Sequence, residues 1–191
     1  MKAIAAEITK KRRCAAEYLQ KKITDELVFL DMEKVRFRIE ITALPEFSTN
    51  GVDKVAFAVS ANPGEPLQPL SKVASGGELS RMMLALRCAF ADKERTETLI
   101  FDEIDTGVSG RIADAMGEII AELSASMQVV DITHLPQVAS KGDSHYLVYK
   151  SDSTTNIRAL TAEERVVEIA KMLSGSEISD AARKQAKILL G

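Results

Sequence analysis

Apolar side chains recur at intervals of three, four and one seven over residues 1–31, at Ile4, Ile8, Ala15, Leu19, Ile23, Leu27 and Leu30. The stretch has no glycine or proline, and the spacing predicts one long helix. A single apolar stripe on a polar rod calls for a partner, either the protein's own core or another helix of a coiled coil. The stripe is at full strength from its first turn, so the rod is expected to continue outside these residues. Val35, Phe37, Ile39 and Ile41 then alternate with Arg36, Arg38 and Glu40, the period of a half-buried strand, expected to end at Pro45. Val55, Phe57 and Val59 repeat the alternation beyond the turn-forming Thr49-Asn50-Gly51, which predicts an antiparallel pair. The prolines that follow, Pro63, Pro66 and Pro69, are barred from a sheet interior.

From Ser71 onward helical and extended patterns alternate. Helices are predicted from about Gly76 to Asp92 and Ser109 to Leu123, with a short one at Pro136 to Ala139 and two more at the C-terminus. Strands are predicted at Thr98–Phe101, Gln128–Thr133, Tyr146–Tyr149 and Ile157–Leu160. The uninterrupted apolar runs Leu99-Ile100-Phe101 and Val129-Val130 suit strands covered on both faces, which points to an α/β fold with a layered, mostly parallel sheet.

Composition changes this picture in two respects. With 191 residues, 46% hydrophobic, the chain can bury a real core, yet it has no apolar run of the roughly 18 residues a spanning helix needs. Cys14 and Cys88 stand far apart and no secretory leader opens the chain, so a reducing cytoplasm is the expected setting, with no membrane partner. The net charge of -3 also hides an asymmetry. Residues 1–38 hold ten Lys or Arg against six acids, net +4, and the remainder holds 15 against 22, net -7. A basic end can attract nucleic acid through its phosphates. A solvated helix face explains the same charges, since both signs are mixed and no aromatic residues interleave for stacking.

Three clusters carry possible chemistry. In "SGGELSR", Ser75 and Glu78 have the spacing of a capping box at the start of a helix, with Gly76 and Gly77 in its first turn. Glycine costs up to about 1 kcal/mol relative to alanine inside a helix, so a purely structural cap has no need of two. Bare backbone at a helix N-terminus is a setting for phosphate. In "TLIFDEIDTG" an apolar strand ends in Asp102-Glu103, where open α/β sheets collect ligands. One such carboxylate can hold Mg²⁺ and the other can orient a water for attack. In Asp131-Ile132-Thr133-His134 a strand ends in histidine. His145 has no comparable setting, and neither histidine has neighbours at zinc spacing.

The order of these clusters resembles the second half of the ATP-binding cassette fold. "SGGELSR" is similar to its signature motif, "TLIFDE" to its Walker B strand, "DTGVSG" to its D-loop and "ITH" to its switch-histidine strand. The longer stretches "ANPGEPLQPLSKVASGGELSRMMLAL" and "DEIDTGVSGRIADAMG" resemble, more narrowly, the SMC-like ATPases of bacterial DNA double-strand-break repair, over nearly the whole chain. The resemblance implies the C-terminal lobe of an ATPase head over residues 32–191, with residues 1–31 as the returning end of a coiled-coil arm. It implies Asp102 as the Mg²⁺ ligand, Glu103 as general base and His134 at the γ-phosphate. Ser75, Gly76, Gly77 and Glu78 would meet ATP held by an opposite head, with Asp105, Gly107 and Ser109 in the D-loop.

The implied partners are an N-terminal lobe of the same protein, a second head joined through ATP, and DNA, at the bacterial nucleoid. Two features depart from the pattern. No G-x-x-x-x-G-K-[ST] phosphate loop occurs, since no glycine precedes a lysine, so the chain alone is expected to be inactive. Ser109 stands where cassette D-loops carry aspartate, which weakens the D-loop assignment. The alternative is a non-catalytic module that docks on a partner head or on DNA.

Overall fold

The computed structural model describes residues 1–60, 62–72, 76–91, 97–175 and 177–191. The chain divides into two compact units, residues 1–95 and 96–191.

The first unit opens with α1 (Lys2–Phe29), followed by strands β1 (Arg36–Ser48), β2 (Gly51–Ser60) and β3 (Gln68–Pro69). A 3-10 turn at Leu70–Lys72 and helix α2 (Gly76–Ala91) complete it. The three strands form one antiparallel sheet in the order β1-β2-β3, which leaves Pro69 at an edge where its missing N–H does no harm. β1 does not end at Pro45. It resumes pairing at Ser48↔Gly51 after a register shift, because a residue without an N–H is tolerated at a bulge.

The inner face of α1 differs from the predicted stripe. Ile23, Leu27 and Leu30 are buried, with Met82, Leu84, Ala85 and Ala89 of α2 and Phe37 and Val59 of the sheet. Ile4 is exposed and Ala5 is buried in its place. The middle of the helix meets the sheet through polar groups. Thr9 Oγ1 donates to Asp53 at 2.8 Å, and Arg12 Nη1 reaches the same carboxylate at 3.0 Å. The Thr9 hydrogen bond and the Arg12 guanidinium hold Asp53 below the usual carboxylate range. Gln20 Oε1 accepts the Ile39 N–H at 3.2 Å, satisfying part of the open edge of β1. One member of the basic cluster, Arg12, is therefore a structural tie, while Lys10 and Arg13 are exposed.

The second unit is built from β4 (Thr98–Asp102), α3 (Gly110–Ser124), β5 (Gln128–Ile132), α4 (Pro136–Ala139), β6 (Tyr146–Ser151), β7 (Thr154–Ala159), α5 (Ala162–Ser174) and α6 (Asp180–Leu190). β4 and β5 are parallel, Thr98↔Gln128 through Asp102↔Ile132, with α3 as the crossover. The α/β class and the parallel sheet with flanking helices are thus as the alternating pattern predicts. α3 buries Ala113, Met116, Ile119, Ile120 and Leu123. The β6–β7 hairpin runs further than its apolar positions indicate, because Asp152 (φ 48°) and Ser153 (φ 65°) supply a tight two-residue turn. Ile169 and Ala170 of α5 and Ala182 and Ala186 of α6 form one buried apolar cluster. Thr161 and Glu164 form a capping box at the start of α5.

Gly117 lies where α3 packs against α4. A Cβ there would stand 3.1 Å from the Gln137 carbonyl oxygen and 3.4 Å from Val138 Cα, both backbone atoms that cannot step aside. Gly117→Val is therefore expected to destabilise the fold by about 1–3 kcal/mol, read as an earlier urea midpoint. A midpoint equal to the parent's would show that the two helices separate freely.

Candidate functional site

In a parallel β-α-β unit both strands present their carboxyl ends at the same edge, and ligands gather there. β4 ends in Asp102 and β5 in Ile132, which are register partners, so the next residues on each strand emerge side by side. The Glu103 N–H donates to the Ile132 carbonyl at 2.9 Å, which extends the ladder one step beyond β4. The chain then turns sharply. Glu103 takes a left-handed φ of 49°, uncommon outside glycine, and its carbonyl accepts from the Thr106 N–H at 3.2 Å. A second turn follows, Val108 N–H to the Asp105 carbonyl at 3.1 Å, with Gly107 at φ 76°.

These turns sort the acids by exposure. Asp102 and Glu103 are exposed, and neither side chain has a hydrogen-bond or ion-pair partner among the described residues. Asp105 points inward, 1% exposed, while Gly107 and Ser109 face solvent. Its carboxylate accepts the Thr133 hydroxyl proton, and Thr133 Oγ1 in turn accepts the Leu135 N–H at 2.9 Å. His134 lies between, its side chain 59% exposed and its Nδ1 3.7 Å from Asp105 Oδ1. Asp102 and Glu103 at the end of β4 and His134 just beyond β5 thus follow strands whose carboxyl ends lie side by side.

Gly76, Gly77 and Glu78 open α2 in the first unit, and Ser75 lies outside the described residues together with the predicted cap. Among the described residues a Cβ on Gly76 would meet nothing within 4 Å, so on that side the backbone is open to approach. Arg81 holds this helix end by donating to the Gly77 and Leu30 carbonyls, both at 3.3 Å. His145 is half-buried with Arg165 Nη2 3.4 Å from its Nε2, and burial, reinforced by that cation, pushes its pKa down.

Sequence reasoning missed Thr133 and Asp131 as members of the site. The signal was present in the alternation of Val129, Asp131 and Thr133, which puts all three on the covered side of β5. Neither Asp131 carboxylate oxygen has a hydrogen-bond partner among the described residues, and burial with the Asp105 charge nearby raises its pKa to about 7. The folded state therefore holds a proton that the unfolded chain releases near its ordinary 3.8. Stability falls as pH rises from about 4 to about 7, and the penalty is fully present above that. Asp131→Asn is expected to raise the melting temperature at pH 8 and to leave it unchanged at pH 4. An equal effect at both pH values would place the charge elsewhere.

Among the described residues no three His, Cys, Asp or Glu side chains form a metal cage. Mg²⁺ does not need one, since it keeps several waters and is commonly held by one or two carboxylates plus substrate phosphates. Two unpaired carboxylates at a strand end fit that donor set.

The fold is similar to solved SMC heads. The Smc head domain with a coiled coil and joint from Pyrococcus yayanosii matches with a TM-score of 0.65 at 18% identity, over 84% of this chain and 29% of that one. A chain solved in work on ATP-driven dimerization and DNA stimulated activation of SMC ATPases matches at 0.59 and 16% identity, over 88% of this chain and 98% of that one. No family model matches. The fold of this chain is therefore the one seen in SMC heads. Curated relatives named DNA repair protein RecN are similar over almost all of the chain. Identity is 45% with that of Halalkalibacterium halodurans, over 97% of this chain and 34% of the relative. It is 44% with that of Vibrio cholerae, over 98% and 35%, and 42% with that of Bacillus subtilis, over 97% and 36%. The chain belongs to the RecN family, corresponds to its C-terminal part, and spans about a third of the length of these relatives.

Proposed function

We propose that this chain is the acid-bearing lobe of an ATP-hydrolysing head that works in DNA double-strand-break repair. The observation that carries this reading is that the end of β4, with Asp102 and Glu103, and the end of β5, followed by His134, emerge side by side. Glu103 is exposed and has no partner among the described residues, so its carboxylate is free to take a proton from an attacking water. A positioned base of this kind contributes roughly 10²- to 10⁴-fold in rate. His134, just beyond the neighbouring strand end and also exposed, donates to the transferred phosphate or to that water. Asp102 would hold Mg²⁺, which when bound neutralises the developing phosphate charge. Ser75, Gly76, Gly77 and Glu78 would close on ATP carried by a second head, and Gly107 and Ser109 present the exposed side of the D-loop. Contacts made to the transferable phosphate from a second head are lost once it leaves, so binding joins heads and hydrolysis parts them.

The remaining lobe of the same protein is the implied partner that holds ATP. Its need is supported by the sheet, where Ile100 is 66%, Ile132 49% and Val130 43% exposed on one face of a parallel pair. Parallel strands are nearly always covered on both sides. A sizing run with the N-terminal part of the same protein supplied, with and without ATP, tests the reading. Association that depends on both the added part and ATP supports it. A chain that stays alone in every arm, or binds DNA with no nucleotide dependence, favours the docking module instead.

A further inference from the structure

We infer that Asp105 is the positioning residue of His134, its sealed carboxylate setting the direction in which the exposed imidazole presents its other nitrogen to the reacting phosphate. The inference rests on the hydrolytic reading above, and it gives Asp105 a different task from nucleotide contact. Asp105 is 1% exposed, so it is withdrawn from any ligand arriving from solvent. One carboxylate oxygen accepts from the Thr133 hydroxyl, and that hydroxyl oxygen accepts from the Leu135 N–H at 2.9 Å. The residues on either side of His134 are thereby fastened to a single acid.

The other oxygen, Oδ1, is buried with no hydrogen-bond partner among the described residues, and His134 Nδ1 stands 3.7 Å away. That is too long for a hydrogen bond, yet catalytic contacts commonly tighten only when substrate is bound. A buried carboxylate oxygen left unsatisfied is costly, and an Nδ1–H donor is what would satisfy it. A proton on Nδ1 leaves Nε2 as the outward atom, in the way an acid orients a working histidine elsewhere. Asp105 also lies two residues beyond Glu103, in the turn closed by the Val108 N–H at 3.1 Å. One buried acid thus links the turn that carries the base to the strand end that carries the histidine.

Asp105→Asn in the full-length protein tests this. The amide keeps the size and the acceptor for Thr133 and removes the charge opposite the ring. Turnover of ATP is expected to fall roughly 10- to 100-fold in kcat, as when an orienting partner of a working histidine is lost. The KM for ATP and the ATP-dependent dimer are expected to stay at parent values, and the melting temperature is expected not to fall, since the buried charge beside Asp131 is removed. Long-range ¹H–¹⁵N spectra of histidine-labelled protein, with His134 assigned by its loss in His134→Gln, give a readout that does not depend on activity. With the ring neutral, the parent is expected to favour the Nδ1–H tautomer and Asp105→Asn to lose that preference, while His145 does not move.

An unchanged His134 spectrum in Asp105→Asn, or a fall in kcat that merely follows a fall in melting temperature, overturns the inference. Thr133→Val keeps the carboxylate opposite the ring and is expected to keep the tautomer preference. Loss of the preference there overturns the inference equally, so the test stands even where Asp105→Asn does not fold. If Glu103→Gln turns over ATP normally, the hydrolytic reading itself fails. If Glu103→Gln is inactive while Asp105→Asn is normal by both readouts, only the positioning role fails.

Discussion

Glu103→Gln in the full-length protein is expected to bind ATP normally and to slow hydrolysis by roughly 10²- to 10⁴-fold, the range a positioned general base supplies. Glutamine keeps the shape of the side chain and cannot take a proton from water. Glu103 is exposed and without a partner among the described residues, so the substitution breaks no internal contact and stability is expected to hold. With cleavage blocked, the species that ATP joins should accumulate, visible as a nucleotide-dependent dimer that persists through a sizing run. Hydrolysis at the parent rate would remove Glu103 from the role of base and return attention to His134 or Asp102. A variant that is inactive because it no longer binds ATP would show instead that the strand end grips the nucleotide rather than acting on it.

The isolated chain is expected to show no ATP turnover, and addition of the N-terminal part of the same protein is expected to restore it. The 191 residues contain no G-x-x-x-x-G-K-[ST] loop to cradle the β- and γ-phosphates. Turnover by the chain alone would contradict the half-site reading at once. A substitution separates docking from chemistry. Ile100 is 66% exposed at the middle of β4, so Ile100→Lys is expected to leave the fold of the chain within about 0.5 kcal/mol of the parent. If the open face of the β4–β5 pair receives the added part, the buried lysine has no partner there. Restoration should then drop at least about tenfold, the equivalent of 1.4 kcal/mol. Full restoration with Ile100→Lys would mean that the added part covers some other surface.

Much of this site is legible in the sequence because its signals are local. Asp102-Glu103 close β4 and His134 comes two residues after β5, and the parallel order of β4, α3 and β5 requires both strand ends to point the same way. Helix and strand periods placed most elements within a few residues. Where the reading failed, a nonlocal partner had replaced a local rule. Pro45 did not stop β1 because β2 accepts a register shift there. Ala5, Thr9 and Arg12 took the inner face of α1 from Ile4 and Ala15 because Asp53, 41 residues after Arg12, waits on the opposite strand.

Composition and spacing by themselves determined the α/β class, the order of the motifs and the strand ends on which the acids and the histidine sit. These follow from the period of the side chains and from the fixed right-handed route of a β-α-β crossover. Only the tertiary structure decided what each polar group does there. It turned Asp105 inward against Thr133 and left Glu103 outward on a left-handed turn. It also buried Asp131 without a partner and left one apolar face of the parallel pair open. The reason is physical: exposure and local field depend on which distant groups fold over a residue, and both the ionisation of a carboxylate and the direction of an imidazole follow from them.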